Sequence, residues 1–198
     1  MNSLQNFGRL MLALILLTPG AAAWAEWELE STKSMVNFVS IKNDSVGEVH
    51  SFSSLVGYIG ADGKVQVTIN LDSVETLIDV RNERMRELLF ETVKFPAATV
   101  TAQVDPALLA TAAAGGVVTT ELPITLSLHG QDKPLRVAVV IVGEGEDRLR
   151  VFSPHPVVIN AGDFGLAAGV EALQKVAGLQ AISDAVPVTL QLLFVPAR

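Results

Sequence analysis

Residues 64–72 read KVQVTINLD. Val65, Val67, Ile69 and Leu71 alternate with Gln66, Thr68, Asn70 and Asp72. Successive side chains of a strand point to opposite faces, so this period of two predicts a strand with one apolar and one wet face. The same alternation runs through 122–128, where Leu122, Ile124, Leu126 and Leu128 oppose Pro123, Thr125 and Ser127. It returns at 186–194, where Val186, Val188, Leu190, Leu192 and Phe194 share a side. Further strand patterns cover 35–42, 49–60, 98–104, 135–142 and 148–153, with a short apolar run at 157–159. Asp62-Gly63 between two such runs is a two-residue hairpin signal. His129-Gly130-Gln131-Asp132 and the run 143–147 (GEGED) separate two more antiparallel pairs. The Ala-rich stretch 107–116 predicts a short helical turn or a loop without site chemistry.

The period lengthens in two places. Residues 79–90 (DVRNERMRELLF) predict a helix with Asp79 as N-cap and Val80, Met85, Leu88 and Leu89 near one stripe. Residues 163–178 (DFGLAAGVEALQKVAG) predict a second helix, interrupted by Gly165 and Gly169. About eight strands joined by hairpins predict an all-β fold with one or two short helices, as an up-and-down barrel or a sandwich. Closure into a barrel leaves no unpaired edges. An eight-stranded barrel is filled by its own side chains or holds one small ligand.

Composition narrows the function. The chain has 198 residues and carries 14 Lys and Arg against 21 Asp and Glu, a formal charge of −7. That balance argues against nucleic acid as a partner, which needs clustered cations. There is no cysteine, hence no disulfide framework and no thiolate chemistry. His50, His129 and His155 are far apart and lack metal-ligand spacing. No GxSxG, GxGxxG or Walker pattern occurs. Neither a catalytic residue nor a metal ligand is therefore expected.

The N-terminus has its own signature. Arg9 precedes an apolar run at 10–17, Pro19-Gly20 breaks it, and small residues lead to Ala23-Trp24-Ala25. This is the order of a secretory signal peptide over 1–25. The run is shorter than the roughly 20 residues of a membrane span. The expectation is an exported domain over 26–198, with a bacterial periplasm as the simplest home.

Several segments, in order, resemble the YceI family of secreted lipid-binding proteins. They are Ser34-Met35-Val36-Asn37-Phe38, Val56-Gly57-Tyr58-Ile59, 69–76 (INLDSVET), 81–86 (RNERMR), Phe90, and Lys94-Phe95-Pro96. They continue through 122–130, Lys133-Pro134-Leu135 and Asp163-Phe164-Gly165-Leu166. The resemblance spans nearly all of 29–195. It implies an eight-stranded lipocalin-like antiparallel barrel with a helix against it. It also implies an apolar tunnel that holds an isoprenoid chain, as a quinone or polyisoprenoid, non-covalently and without a cofactor. The chain departs from the family's pattern at Lys33-Ser34, Ala161 and Arg81-Asn82, where head-group contacts would fall.

The alternation supplies the candidate lining: Val36, Phe38, Val67, Ile69, Ile124, Leu126, Val137, Val139, Leu190 and Leu192. Arg84, one turn from Leu88, is the candidate donor to a head-group oxygen at the mouth. Asp163 either caps the second helix or joins Arg84 there, beside Phe164. Two alternatives stay open: a filled barrel acting as an envelope or stress interaction module, and an enzyme acting on a bound lipid. Expected partners are the isoprenoid lipid and membrane redox proteins. A homodimer that covers an apolar mouth is the alternative to a monomer.

Overall fold

The structure is a computed structural model that describes residues 25–145 and 147–198. The expected signal segment lies outside the described residues except for Ala25, the first residue of β1. Twelve strands follow in chain order. They are β1 (Ala25–Leu29), β2 (Met35–Lys42), β3 (Val46–Phe52), β4 (Leu55–Gly60), β5 (Lys64–Asn70) and β6 (Val74–Glu75), then β7 (Ala97–Gln103), β8 (Val117–Leu128), β9 (Gln131–Gly143), β10 (Leu149–Phe152), β11 (Val157–Asn160) and β12 (Ala185–Pro196). Three helices interrupt them: α1 (Asp79–Arg84), α2 (Pro106–Ala113) and α3 (Ala167–Ala177).

Eight strands close a ring in the order β1–β4–β5–β7–β8–β9–β10–β12, and β12 pairs back to β1. This is the lipocalin-like antiparallel barrel. Strand β12 is its seam. Its C-terminal half lies between β10 and β1 (Leu149↔Phe194, Leu29↔Phe194), and its N-terminal half between β11 and β2 (Val157↔Val188, Phe38↔Val188). The wall therefore flares at one end, where β2 carries β3 and β6 outward. On each side of the seam a serine hydroxyl accepts a β12 amide where the neighbouring strand breaks. Leu193 N–H donates to Ser34 Oγ (2.9 Å) and Leu190 N–H to Ser153 Oγ (3.2 Å). An amide left unpaired there would cost free energy, so these hydroxyls let the wall change neighbours without a gap in the ladder.

The structure amends four expectations. The run 49–60 is two strands, because the Ser53 and Ser54 amides turn away to Ser73 O and Ser73 Oγ (3.1 and 3.0 Å). The stretch 107–116 contains a helix, α2, whose Asp105 carboxylate accepts from Ala107 N–H at 2.8 Å. The helix begun at Asp79 is capped from Ile78, not Asp79, and its end widens into a π turn, Met85–Leu89. The second helix splits at Gly165, which adopts a left-handed φ of 68° between a 3₁₀ turn, Ala161–Phe164, and α3. Gly169 does not interrupt α3. A Cβ there would lie 2.6 Å from Leu88 O and 2.8 Å from Leu89 Cα, so the missing side chain lets α3 seat on the π turn.

The two barrel ends differ. At the narrow end α2 lies by Gly143, and the inward residues Ile59, Val104, Ile141, Leu149 and Phe194 are almost fully buried. At the flared end α1, the π turn and α3 form the cover. There the inward residues Leu128, Val157, Ile159, Val186 and Val188 are only half-buried.

Candidate functional site: an apolar lumen

The barrel encloses a cavity of about 270 Å³ whose wall is made only of apolar residues. For scale, an apolar cavity of about 150 Å³ in a protein core already takes up benzene. The wall runs along β12 from Val186 to Phe194, eight residue steps, or about 26 Å of strand. A barrel strand is tilted by roughly 40°, which leaves about 20 Å along the axis. The void is thus long and narrow, the shape of a hydrocarbon chain. Its wall is mostly Val, Ile and Leu, together with Phe38, Phe52, Phe90 and Phe194. Val67, Val100, Ile124 and Val137 come from four neighbouring strands and share this wall.

All ten strand residues of the candidate lining face this cavity: Val36, Phe38, Val67, Ile69, Ile124, Leu126, Val137, Val139, Leu190 and Leu192. The four others lie off it. Arg84 turns its Nη1 to Val176 O (3.4 Å), at the C-terminal turn of α3, where a cation offsets unpaired carbonyls. Leu88 yields its place to Leu89, because the extra residue of the π turn rotates the helix face. Asp163 is exposed in the 3₁₀ turn and does not cap α3, whose flanking residue is Leu166. Phe164 is 2% exposed and packs in the core behind the wall. The flared-end residues Phe52, Phe90, Leu166 and Val170 are also part of the wall. Alternation gives Phe52 as the partner of Val36 across β2 and β3, whereas Phe90, Leu166 and Val170 depend on how the helices dock.

A polar cluster flanks the lumen beyond Phe38. The inward face of the β2–β3 hairpin passes from Val36, Phe38 and Phe52 to Ser40, Lys42, Glu48 and His50. The rings of Phe38 and His50 lie 5.2 Å apart. His50, 3% exposed, shares a 2.8 Å hydrogen bond between Nε2 and Ser40 Oγ, while its buried Nδ1 has no partner among the described residues. Glu48 Oε2 receives both Lys42 Nζ (2.8 Å) and Arg81 Nη1 (2.7 Å). The Lys42 hydrogen bond, with Arg81, holds the Glu48 carboxyl below its ordinary range. Burial, helped by the Arg81 charge, pushes His50 below its ordinary value and keeps the ring neutral.

That depression has a sign. The unfolded chain binds a proton at His50 near pH 6.5, before the folded chain does. The contribution is complete above that pH and lost as the pH falls through it toward the lower folded value. The Tm of the wild type should therefore fall from pH 7.5 to 5.5, and the slope should flatten in His50→Gln. An unchanged slope in the variant would remove His50 as its source. Glu48 acts lower, below the ordinary carboxylate value, so the two windows separate.

Arg81 and Asn82 also hold the loop that leads into α1. Asn82, 5% exposed, accepts Thr76 N–H (2.8 Å) and Thr76 Oγ–H (2.6 Å) at Oδ1, and Arg81 Nη2 donates to Thr76 O (2.6 Å). Asn82→Ala strands the buried Thr76 amide. The expected loss is about 2–3 kcal/mol, read as a lower denaturant midpoint at unchanged m-value.

Among the described residues no group of three His, Cys, Asp or Glu comes together to hold a metal. His129 packs against Phe95 with the rings tilted (centroids 4.2 Å apart) and pairs with Glu91 (3.0 Å), and His155 is exposed.

A closed antiparallel barrel around an apolar lumen defines the class of lipocalin-like small-molecule barrels. Within it, the chain belongs to the YceI-like domain family, which matches residues 27–194. A polyisoprenoid binding domain from Saccharophagus degradans, implicated in plant cell wall breakdown, is 39% identical with a TM-score of 0.85, over 88% of this chain and 100% of that one. BcnA of Burkholderia cenocepacia is 19% identical with a TM-score of 0.66, over 83% of this chain and 98% of that one. A Campylobacter jejuni YceI mutant with a monobromobimane guest is 18% identical with a TM-score of 0.54, over 75% and 84%. The last two share the fold. No curated protein matches the chain.

Proposed function

We propose that this chain is an exported, non-enzymatic carrier of an isoprenoid lipid, a quinone or a polyisoprenoid, held by its tail in the lumen. The observation that carries the proposal is the wall itself: every residue around the cavity is apolar, and the cavity runs most of the barrel's length. The likeness to the S. degradans polyisoprenoid binding domain supports the same ligand class.

The energetics favour a tail. Burying apolar groups contributes about 0.8 kcal/mol per CH₂, so a dozen carbons give roughly 10 kcal/mol before costs. Association and ordering take back 4 kcal/mol or more, which leaves at most about 6 kcal/mol for a dozen carbons, an affinity of roughly tens of micromolar that tightens with each further buried isoprene unit. No metal, covalent bond or buried charge is needed, and the polar head stays toward the flared end. The segment 1–25 would direct the chain to a periplasm, where a soluble carrier could present a quinone to membrane redox proteins.

The test is extraction. Protein purified from a cell that makes isoprenoid quinones should release a prenyl lipid on organic extraction, identified by mass spectrometry. A ligand-free protein that also takes up no fluorescent prenyl probe would end the proposal.

A further inference from the structure

The narrow end of the barrel brings the lumen close to the outside at a single side chain. Leu109 of α2 belongs to the lumen wall, and it also belongs to the wall of an outer groove of about 550 Å³ with Trp27, Ala61, Pro106 and Ala113. Among the described residues no other is common to both walls. Leu109 is 2% exposed and lines both spaces, so its side chain stands between them.

The surroundings make this a fixed stop. The first turn of α2 is set by Pro106 and by the Asp105 carboxylate on Ala107 N–H. Ala112 is fully buried, and its carbonyl lies where a Cβ on Gly143 would come within 2.0 Å, so α2 is seated directly on β9. Trp27 Nε1 donates to Asp147 O at 2.6 Å beside the groove. The flared end is built differently, with half-buried inward residues under a helix cover seated through Gly169. A chain that enters there meets packing that tightens toward Leu109.

We propose that Leu109 is the floor of the lumen and sets the tail length that the protein accepts. This rests on the tail-carrier reading above. The terminal isoprene unit stops against the Leu109 methyls. A longer tail must leave apolar units outside the barrel in water, and a shorter one leaves void unfilled. Shortening the side chain to Cβ joins the lumen to the outer groove and lets a tail run through. Enlarging it raises the floor.

The experiment measures competition by farnesol, geranylgeraniol and solanesol, prenols of increasing length, against a fluorescent prenyl probe. It compares the wild type with Leu109→Ala and Leu109→Phe, each checked for folding by thermal unfolding. Leu109→Ala should raise the ratio of long-prenol to short-prenol affinity by at least about tenfold. Leu109→Phe should lower it by a similar factor, and it remains informative if the Ala variant does not fold. An identical length profile in the wild type and every folded variant, with farnesol still bound, overturns the floor alone. Failure of the wild type to bind any prenol overturns the carrier reading and the floor with it.

Discussion

Ile124→Trp should abolish uptake of a prenyl probe while leaving the barrel folded. Ile124 is on β8, paired with Ala102 on one side and Leu135 on the other, and faces the lumen although it remains half-buried. Its side chain lines the cavity, so an indole there reaches into the void. Within about 270 Å³ it displaces much of what a tail would occupy. The expected loss of affinity is about a hundredfold or more, since several buried CH₂ groups are forfeited. Stability should change by less than about 1.5 kcal/mol, the range of tolerated core changes. The control is Leu149→Trp. Leu149 has no exposed surface, lies at the packed narrow end and is not part of the lumen wall. Overpacking there should cost about 2–3 kcal/mol. Paired melting curves and probe titrations read both. If Ile124→Trp destabilises as much as Leu149→Trp, the void is not available to a ligand.

Gly63→Ala should be among the most destabilising single methyl additions in the chain. Gly63 turns β4 into β5 with φ at 81°, and an added Cβ would meet Val104 O at 2.0 Å and Gln103 Nε2 at 2.9 Å. The surroundings cannot yield cheaply. Val104 N–H donates to Gly63 O (2.9 Å), Gly63 N–H donates to Gly60 O (2.8 Å), and Gln103 Nε2 donates to Asp62 O (2.6 Å). The left-handed conformation costs a non-glycine residue about 1–2 kcal/mol, and displacing the end of β7 adds to it. The sum is about 3–5 kcal/mol, a shift of roughly 10 °C in Tm for a domain of this size. Gly145 is the comparison. Its φ is 62° but nothing lies within 4 Å of its added Cβ, so Gly145→Ala should lose only the conformational part. Equal effects at the two sites would show that the β7 contact does not matter.

What was legible in the sequence was what obeys a period of two. Each β-strand residue chosen as lining by alternation from β2, β5, β8, β9 and β12 faces the cavity. A register fixed by an apolar inner face leaves one solution, because a slip by one residue would turn the whole set outward. The helices were harder because their faces depend on tertiary docking. Asn82 is buried where Val80, 51% exposed, was the expected core residue. The reason is chemical. Asn82 satisfies the buried Thr76 amide, a demand that apolar periodicity does not register. The π turn then shifts the inward position from Leu88 to Leu89. Leu109 sits in PALLATAA, a helix too uniformly apolar to show a face, so nothing in its pattern marks it as the residue between lumen and groove. Arg84 was chosen for its reach over an apolar stripe, but a helix C-terminus next to it presents a better-placed carbonyl.

The seam strand has a consequence for how the protein is made. Trp27 pairs with Pro196, so the ring joins residues far apart in the sequence. Most earlier strands can find a partner before β12 is made, but β11 pairs only with β12, and none of them can complete the circle. A chain with such distant pairing folds slowly, in milliseconds to seconds, and the joining step waits for β12. Until then the future interior is an open, greasy trough. The ring therefore cannot close before β12 is made, and a variant lacking Ala185–Pro196 should leave no barrel, rather than a smaller one.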